Sequence, residues 1–546
     1  MRLFRRLRLT PVLPGGLIVV LILLAYLPVL QAGFIWDDDS WTTKLVGVFR
    51  DSAGLRSIWF QPTAMQQYYP LTGTTFWLDY QLWRFWAPPY HVENVLLHAT
   101  AALLFWRVLR RLRVPGAWLA SALFALHPVN VESVGWITER KNVLSLALCL
   151  GALLAYLRFE EQRPAPADRW RRWYVLAWVL FLAALLAKTA VCSLPAAILL
   201  LAWWRRGKVG WRADVLPTLP FFAIGLCMCA VTAWLEKNHL AAQGADYALT
   251  LSQRCLIAGR AFWFYLGQLI WPAHLCFIYP RWQPDARAWT QWLYPMAAVV
   301  FVLTLWLARR RIGRGPLAAL FFFAGSLSPL LGFTNVYFMR FSFVADHWVY
   351  WPSLGPIALA AAGISVLLDR CGGTRVVRPA VIGALLLIFV ILTPEHAAAY
   401  ADVETLWRTA IRCNSGSWFA HSNLGYALAR KGKIDDATRE FREAIRLKPD
   451  VPETCTGLGV VLGLRGQIDE AIGWFREAIR LRPTYPDAHY DLGIALSRKG
   501  QSDGAIREFE EAIRLMPGFS AARQSLRTEL GRKANREHAA EPLPQR

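Results

Sequence analysis

Between residues 11 and 393 this chain is a succession of apolar runs long enough to cross a hydrocarbon core of ~30 Å at about 1.5 Å per residue. They lie near 11–30, 94–112, 114–135, 142–158, 172–188, 190–204, 214–235, 290–308, 315–334, 348–368 and 377–393. That makes roughly eleven crossings by hydropathy. Hydrocarbon offers no water to the backbone, so each crossing must satisfy its own N–H and C=O groups, which a helix does. Composition agrees: 55% of the 546 residues are hydrophobic and 18% are charged, against about 25% charged in ordinary soluble domains. The 27 Trp suit membrane–water boundaries.

The net charge is +22. Its basic clusters, RRLR at 5–8, RVLRRLR at 107–113, RWRR at 169–172 and ARRR at 308–311, sit between apolar runs. That placement fits membrane topology better than a nucleic-acid surface, so nucleic acid is excluded as a partner. The basic start followed by an apolar run resembles a signal peptide, but no A-x-A cleavage pattern lies near Gln31. We read an uncleaved first helix with a cytoplasmic N-terminus. The basic loops share one side if 236–289 stays outside, which makes 255–271, with Arg254, Arg260 and Gln268 in or beside it, interfacial or re-entrant. An odd count puts the chain after 393 outside the cytoplasm: periplasm or outer face in a bacterium, reticulum lumen in a eukaryote. Nine Cys in no ligand-like spacing leave the redox compartment undecided.

After residue 400 a 34-residue period appears. Leu424-Gly425, Ala437, Phe441, Ala444 and Pro449 recur as Leu458-Gly459, Ala471, Phe475, Ala478 and Pro483, then as Leu492-Gly493, Ala505, Phe509, Ala512 and Pro517. This is the pattern of tetratricopeptide repeats, in which small residues let paired helices approach and Pro ends the second helix. The expected fold is all-α: a polytopic domain over 1–395, a bridging half-repeat over 396–417, and repeats at 418–451, 452–485 and 486–519. A capping helix to 530 and a disordered tail over 531–546 complete it.

Acids are scarce in the membrane part, so their positions matter. Asp37, Asp38 and Asp39 follow the first helix in FIWDDD at 34–39. Adjacent carboxylates repel, which holds one pKa up and suits a base or a cation site; a solvated loop is the plainer reading. The segment 127–142 adds Glu132 as a second acid, with Arg140 and Lys141 as charge-assisted donors to a phosphate. The plainer reading there is a polar hairpin with Glu139 paired to Arg140. Lys188 ends an apolar run, where it either serves function or snorkels. His91 and His98 are expected to make helix–helix hydrogen bonds. Tyr69, in YYPLT at 68–72, either lines a lipid groove or joins an aromatic belt.

Taken with YHVENVLLHATAALLFWRVLRRL at 90–112, HPVNVESVGWITERKNVLS at 127–145, AKTAVCSLPAAILLL at 187–201 and ADHWVYWPSLG at 345–355, the chain resembles the transmembrane-and-TPR family of GT-C glycosyltransferases. The animal members of that family are O-mannosyltransferases. The resemblance implies an inverting transfer of mannose or another hexose from a polyprenyl-phosphate lipid to a hydroxyl of a protein or glycan acceptor held on the repeats. Asp37 and Asp38 match the family's paired acids; Asp39, assigned with Tyr69 to the substrate groove, leaves the choice of base open. Arg140, Lys141 and Lys188 would stabilise the leaving phosphate. The family often has Arg-Tyr where His347-Trp348 stand, so His347 would bind donor phosphate weakly at neutral pH, with Arg340 as substitute. The resemblance settles no cofactor, and whether Asp37 and Asp38 hold Mg²⁺ or Mn²⁺ stays open. Two other readings compete. One is an O-antigen-ligase or polymerase-like transferase using a lipid-diphosphate glycan. The other is a non-enzymatic membrane-anchored repeat scaffold.

Overall fold

The computed structural model describes residues 12–38, 46–163, 167–240, 242–372, 374 and 376–540. All regular elements among them are helical. The chain divides into two compact units, Met1–Leu406 and Trp407–Arg546.

Six helices of the first unit are long and apolar enough to cross a membrane: Ala87–Arg111, Ile137–Gln162, Arg169–Ala187, Trp211–Asn238, Trp289–Ile312 and Val377–Ala398. Three shorter apolar helices, Leu13–Ala25, Ala117–Leu126 and Gly315–Leu330, accompany them. Ile137–Gln162 is central, with 72% of its apolar window buried, whereas none of the window in Trp289–Ile312 is buried. Helix Ala87–Arg111 opens on Pro88-Pro89, whose missing N–H groups cost nothing in a first turn. It closes on Arg110 and Arg111, which oppose the negative end of the helix dipole.

One expected crossing resolves differently. The run 114–135 is not one helix: Ala117–Leu126 stops at His127-Pro128, and short turns at Pro128–Asn130 and Val131–Gly135 follow. Proline lacks the donor needed to continue the ladder, and the Asn130 amide donates back to the Phe124 carbonyl at 2.7 Å. The segment 255–271 forms a 20-residue helix, Leu251–Ile270, outside the six long apolar ones.

In the second unit, helices Trp418–Arg430 and Ile434–Leu447, Pro452–Leu464 and Ile468–Leu481, and Pro486–Arg498 and Ser502–Leu515 form three antiparallel pairs. The repeated Leu-Gly has a steric cause. A Cβ at Gly425, Gly459 or Gly493 would lie 3.0, 2.5 or 2.6 Å from the ring of Phe441, Phe475 or Phe509. The bare glycine backbone is the seat for each phenyl ring. The repeated alanines are fully buried, and Trp407 packs edge-on to Phe419 at 5.5 Å. Residues 531–540, expected as a disordered tail, continue helix Ser520–Ala540; residues 541–546 lie outside the described residues.

Candidate active site

Asp37 and Asp38 lie just after the 3₁₀ turn Leu27–Gln31 that ends the first helix. The backbone reaches them through Trp36, whose φ of 38° is left-handed and costly for a bulky residue. Aromatic packing holds that turn: the Trp36 ring lies 5.0 Å from Trp136 and 5.5 Å from Phe277. Strain held by surrounding structure is a feature of functional positions.

Asp38 is fully buried. Its Oδ2 accepts from the Ile35 N–H at 2.8 Å, and its Oδ1 accepts from the Thr138 N–H at 2.9 Å and the Thr138 hydroxyl at 2.6 Å. It therefore clamps the first loop to the 127–145 segment. Asp37 Oδ1 is also buried but has no hydrogen-bond partner among the described residues. Burial pushes the Asp37 carboxyl up to about 6, against the attraction of Lys141. Burial and then the neighbouring Asp37 charge push Asp38 up to about 7.

Beside Asp37 stands Glu139, which the plainer reading of this segment pairs with Arg140. Glu139 does not bond Arg140. It takes Lys141 Nζ on Oε1 and Lys188 Nζ on Oε2, each at 2.9 Å, and is 1% exposed. Lys188 reaches it because helix Ala167–Ala187 ends there in extended backbone, and burial lowers the Lys188 amine to about 8. Two ammonium groups thus converge on one carboxylate, with Asp37 also in the field of Lys141. Lys141 also sits 5.7 Å from the Trp136 ring.

Glu132 and His347 form the next layer. Glu132 is fully buried and accepts from the His347 N–H at 3.0 Å and pairs with His347 Nδ1 at 2.9 Å. This holds the imidazole edge-on to Trp136, 5.8 Å between ring centres, with Nε2 as the nitrogen left for a ligand. Glu132 is thus spent on orienting His347. Behind it Tyr279 donates to Asp346 Oδ1 at 2.9 Å. Burial and the Glu132 charge raise Asp346 well above the usual carboxylate range.

Two expected phosphate ligands stand elsewhere. The Arg140 guanidinium is fully buried and bonded to Asp79, to Glu93 at 3.0 Å, to Asn94 Oδ1 at 3.0 Å and to the Tyr90 carbonyl at 3.0 Å. It fastens the start of the central helix to its neighbours. Arg340 stands with Arg281 around Asp246, at 3.9 and 3.8 Å, rather than on the Glu139 group. Tyr69 is 4% exposed at the start of helix Pro70–Trp83. Asp39 lies outside the described residues. His98 bridges helices as expected, with Nδ1 2.7 Å from the Tyr350 hydroxyl and Nε2 3.0 Å from the Ala125 carbonyl. Neither ring nitrogen of His91 has a partner among the described residues.

No group of three or more His, Cys, Asp or Glu among the described residues is arranged to hold a metal ion. The residues fit a cation poorly: the donors on both Asp38 oxygens would be aimed at the ion, and Lys141 occupies the field of Asp37.

Fold and site together define a class: an all-helical protein whose six long apolar helices fit a membrane, with a buried acid–lysine cluster and a C-terminal tetratricopeptide array. Family profiles for the repeat match residues 418–451 and 486–519, and residues 462–500. Curated relatives carry the name anticipated from the motifs. A protein O-mannosyl-transferase of Caenorhabditis elegans is 24% identical over 452 residues, covering 79% of this chain and 62% of the relative. Protein O-mannosyl-transferase Tmtc3 of Drosophila melanogaster is 25% identical over 521 residues, covering 79% and 55%. Human protein O-mannosyl-transferase TMTC3 is 23% identical over 499 residues, covering 80% and 51%. The chain resembles this family over most of its own length and spans about half to three-fifths of these relatives.

Proposed function

We propose that the chain is an inverting glycosyltransferase that moves mannose or a related hexose from a polyprenyl-phosphate lipid to a hydroxyl of a protein acceptor on the non-cytoplasmic face. The relatives' names support glycosyl transfer to protein. The observation that carries the chemistry is the buried, unpartnered Asp37 Oδ1 beside two lysines that share Glu139.

Asp37 is the base. With its pKa raised to about 6 it is ionised at neutral pH yet a better proton acceptor than an exposed carboxylate. It takes the acceptor's proton as that oxygen attacks the anomeric carbon, opposite the departing phosphate. The transition state has oxocarbenium character, as in glycoside hydrolysis. Charge grows on the phosphate as the bond breaks, and Lys141 and Lys188 stabilise it, with the His347 ring beside them. Asp38, Thr138 and Glu132 position these groups. Arg140 anchors the central helix, and Tyr69 lies at the groove wall. The tetratricopeptide array supplies a surface for the polypeptide acceptor.

Purified protein supplied with radiolabelled polyprenyl-phosphate mannose and an envelope-protein acceptor is expected to transfer label, and Asp37→Asn to stop transfer while remaining folded. Full transfer by a folded Asp37→Asn variant, or transfer from lipid-diphosphate donors alone, refutes this reading.

A further inference from the structure

At the opposite end of the central helix from Glu139 lies a cavity of about 530 Å³. Arg158, in its wall, is about 28 Å from Glu139 along that helix. Helices Ala87–Arg111, Ile137–Gln162 and Arg169–Ala187, three of the long apolar ones, line this open pocket. Its rim carries Arg107, Arg110, Arg111 and Arg158, and apart from Trp173 the rest of its wall is aliphatic, as at Leu154. Among the described residues only Arg111 of the four has a carboxylate partner, Glu161. The Arg158 guanidinium lies 4.4 Å from the Trp173 ring, while Trp173 Nε1 is buried without a partner among the described residues.

Four guanidinium groups against one carboxylate give the rim a net positive charge that favours an anion. An indole N–H left unpaired in the wall needs an acceptor. An aliphatic wall between membrane helices needs a chain rather than water. A free phosphate satisfies only the first two requirements, and a neutral lipid only the last.

We propose that this cavity is a binding site for one anionic phospholipid. Its phosphate sits among Arg107, Arg110 and Arg158 and accepts from Trp173 Nε1, and its first methylenes lie along Leu154. Basic pockets between helices are known recognition sites for anionic headgroups. The placement opposite the acid–lysine cluster makes the site separate from the proposed donor site, and it stands whether or not the transferase reading does.

The test is native mass spectrometry of the full-length protein titrated with phosphatidylglycerol, with phosphatidylcholine and inorganic phosphate as separate arms. One saturable phosphatidylglycerol per chain is expected. The double variant Arg107→Gln/Arg110→Gln should weaken it by about tenfold or more. Arg310→Gln/Arg311→Gln, in an equally basic cluster on a helix with no buried apolar window, should leave it within about twofold. Equal losses in the two double variants, equal retention of phosphatidylcholine, or displacement by millimolar inorganic phosphate would each overturn the proposal.

Discussion

The two units use the same arginine–carboxylate chemistry for opposite ends. In the membrane unit Arg140 is fully buried, with four partners drawn from residues 79 to 94. In the repeat unit Arg446, Arg480 and Arg514 each face a glutamate three residues earlier, Glu443, Glu477 and Glu511, at 2.5–2.6 Å in open solvent. A buried charge cannot be left alone, so each partner of Arg140 is obligatory and the pairing fixes geometry. An exposed pair is screened by water and mainly keeps a helix soluble. Position relative to solvent, rather than residue type, decides which ion pair specifies structure.

Four substitutions and a pH profile sharpen that contrast. The largest effect belongs to the acid whose open oxygen lies beside the lysine pair: Asp37→Asn should lower transfer by about a thousandfold, with an unchanged unfolding midpoint. Next comes Arg140→Met, which strands Asp79 and Glu93 and should destabilise the membrane unit by about 3–5 kcal/mol, read as loss of folded yield in detergent. Thr138→Val removes the hydroxyl on Asp38 and should cost about 1–3 kcal/mol, with a smaller loss of transfer than Asp37→Asn. In the array, Gly459→Ala drives a methyl into the Phe475 ring and should cost about 1–3 kcal/mol in that unit alone, seen by calorimetry. Because the base must be ionised and burial has raised it, transfer should fall about tenfold per unit as the pH drops below about 6. Asp37→Asn should abolish that acid limb. An Arg140→Met variant as stable as the parent would erase the contrast altogether.

The all-α fold was legible because both of its signals are one-dimensional: hydropathy runs of helical length, and a 34-residue period that tertiary packing preserves. The break at His127-Pro128 was written in the proline, but the surrounding apolar run masked it. The site was legible as two motifs, and Thr138 joins them by bonding Asp38. What could not be read was the choice of partner. Arg140 and Lys141 look alike in sequence, yet consecutive helical residues point about 100° apart. One therefore meets Asp79 and Glu93, and the other meets Glu139. Asp79 lies 61 residues from Arg140, and no periodicity encodes such a pairing.

If Lys141 and Lys188 receive the donor phosphate as proposed, their sharing of Glu139 has a consequence for selectivity. A carboxylate already seated between two cations is a permanent competitor at the threshold. Every arriving anion must outbid it, and chloride or free phosphate brings nothing beyond charge. An anion tethered to a long apolar tail carries an independent attraction to the surroundings, so it can displace the resident group and hold its ground. When it departs, the lysines recover their old neighbour without waiting for solvent. In the proposed transfer, discrimination against small anions would then rest on occupancy, with no need for a gate.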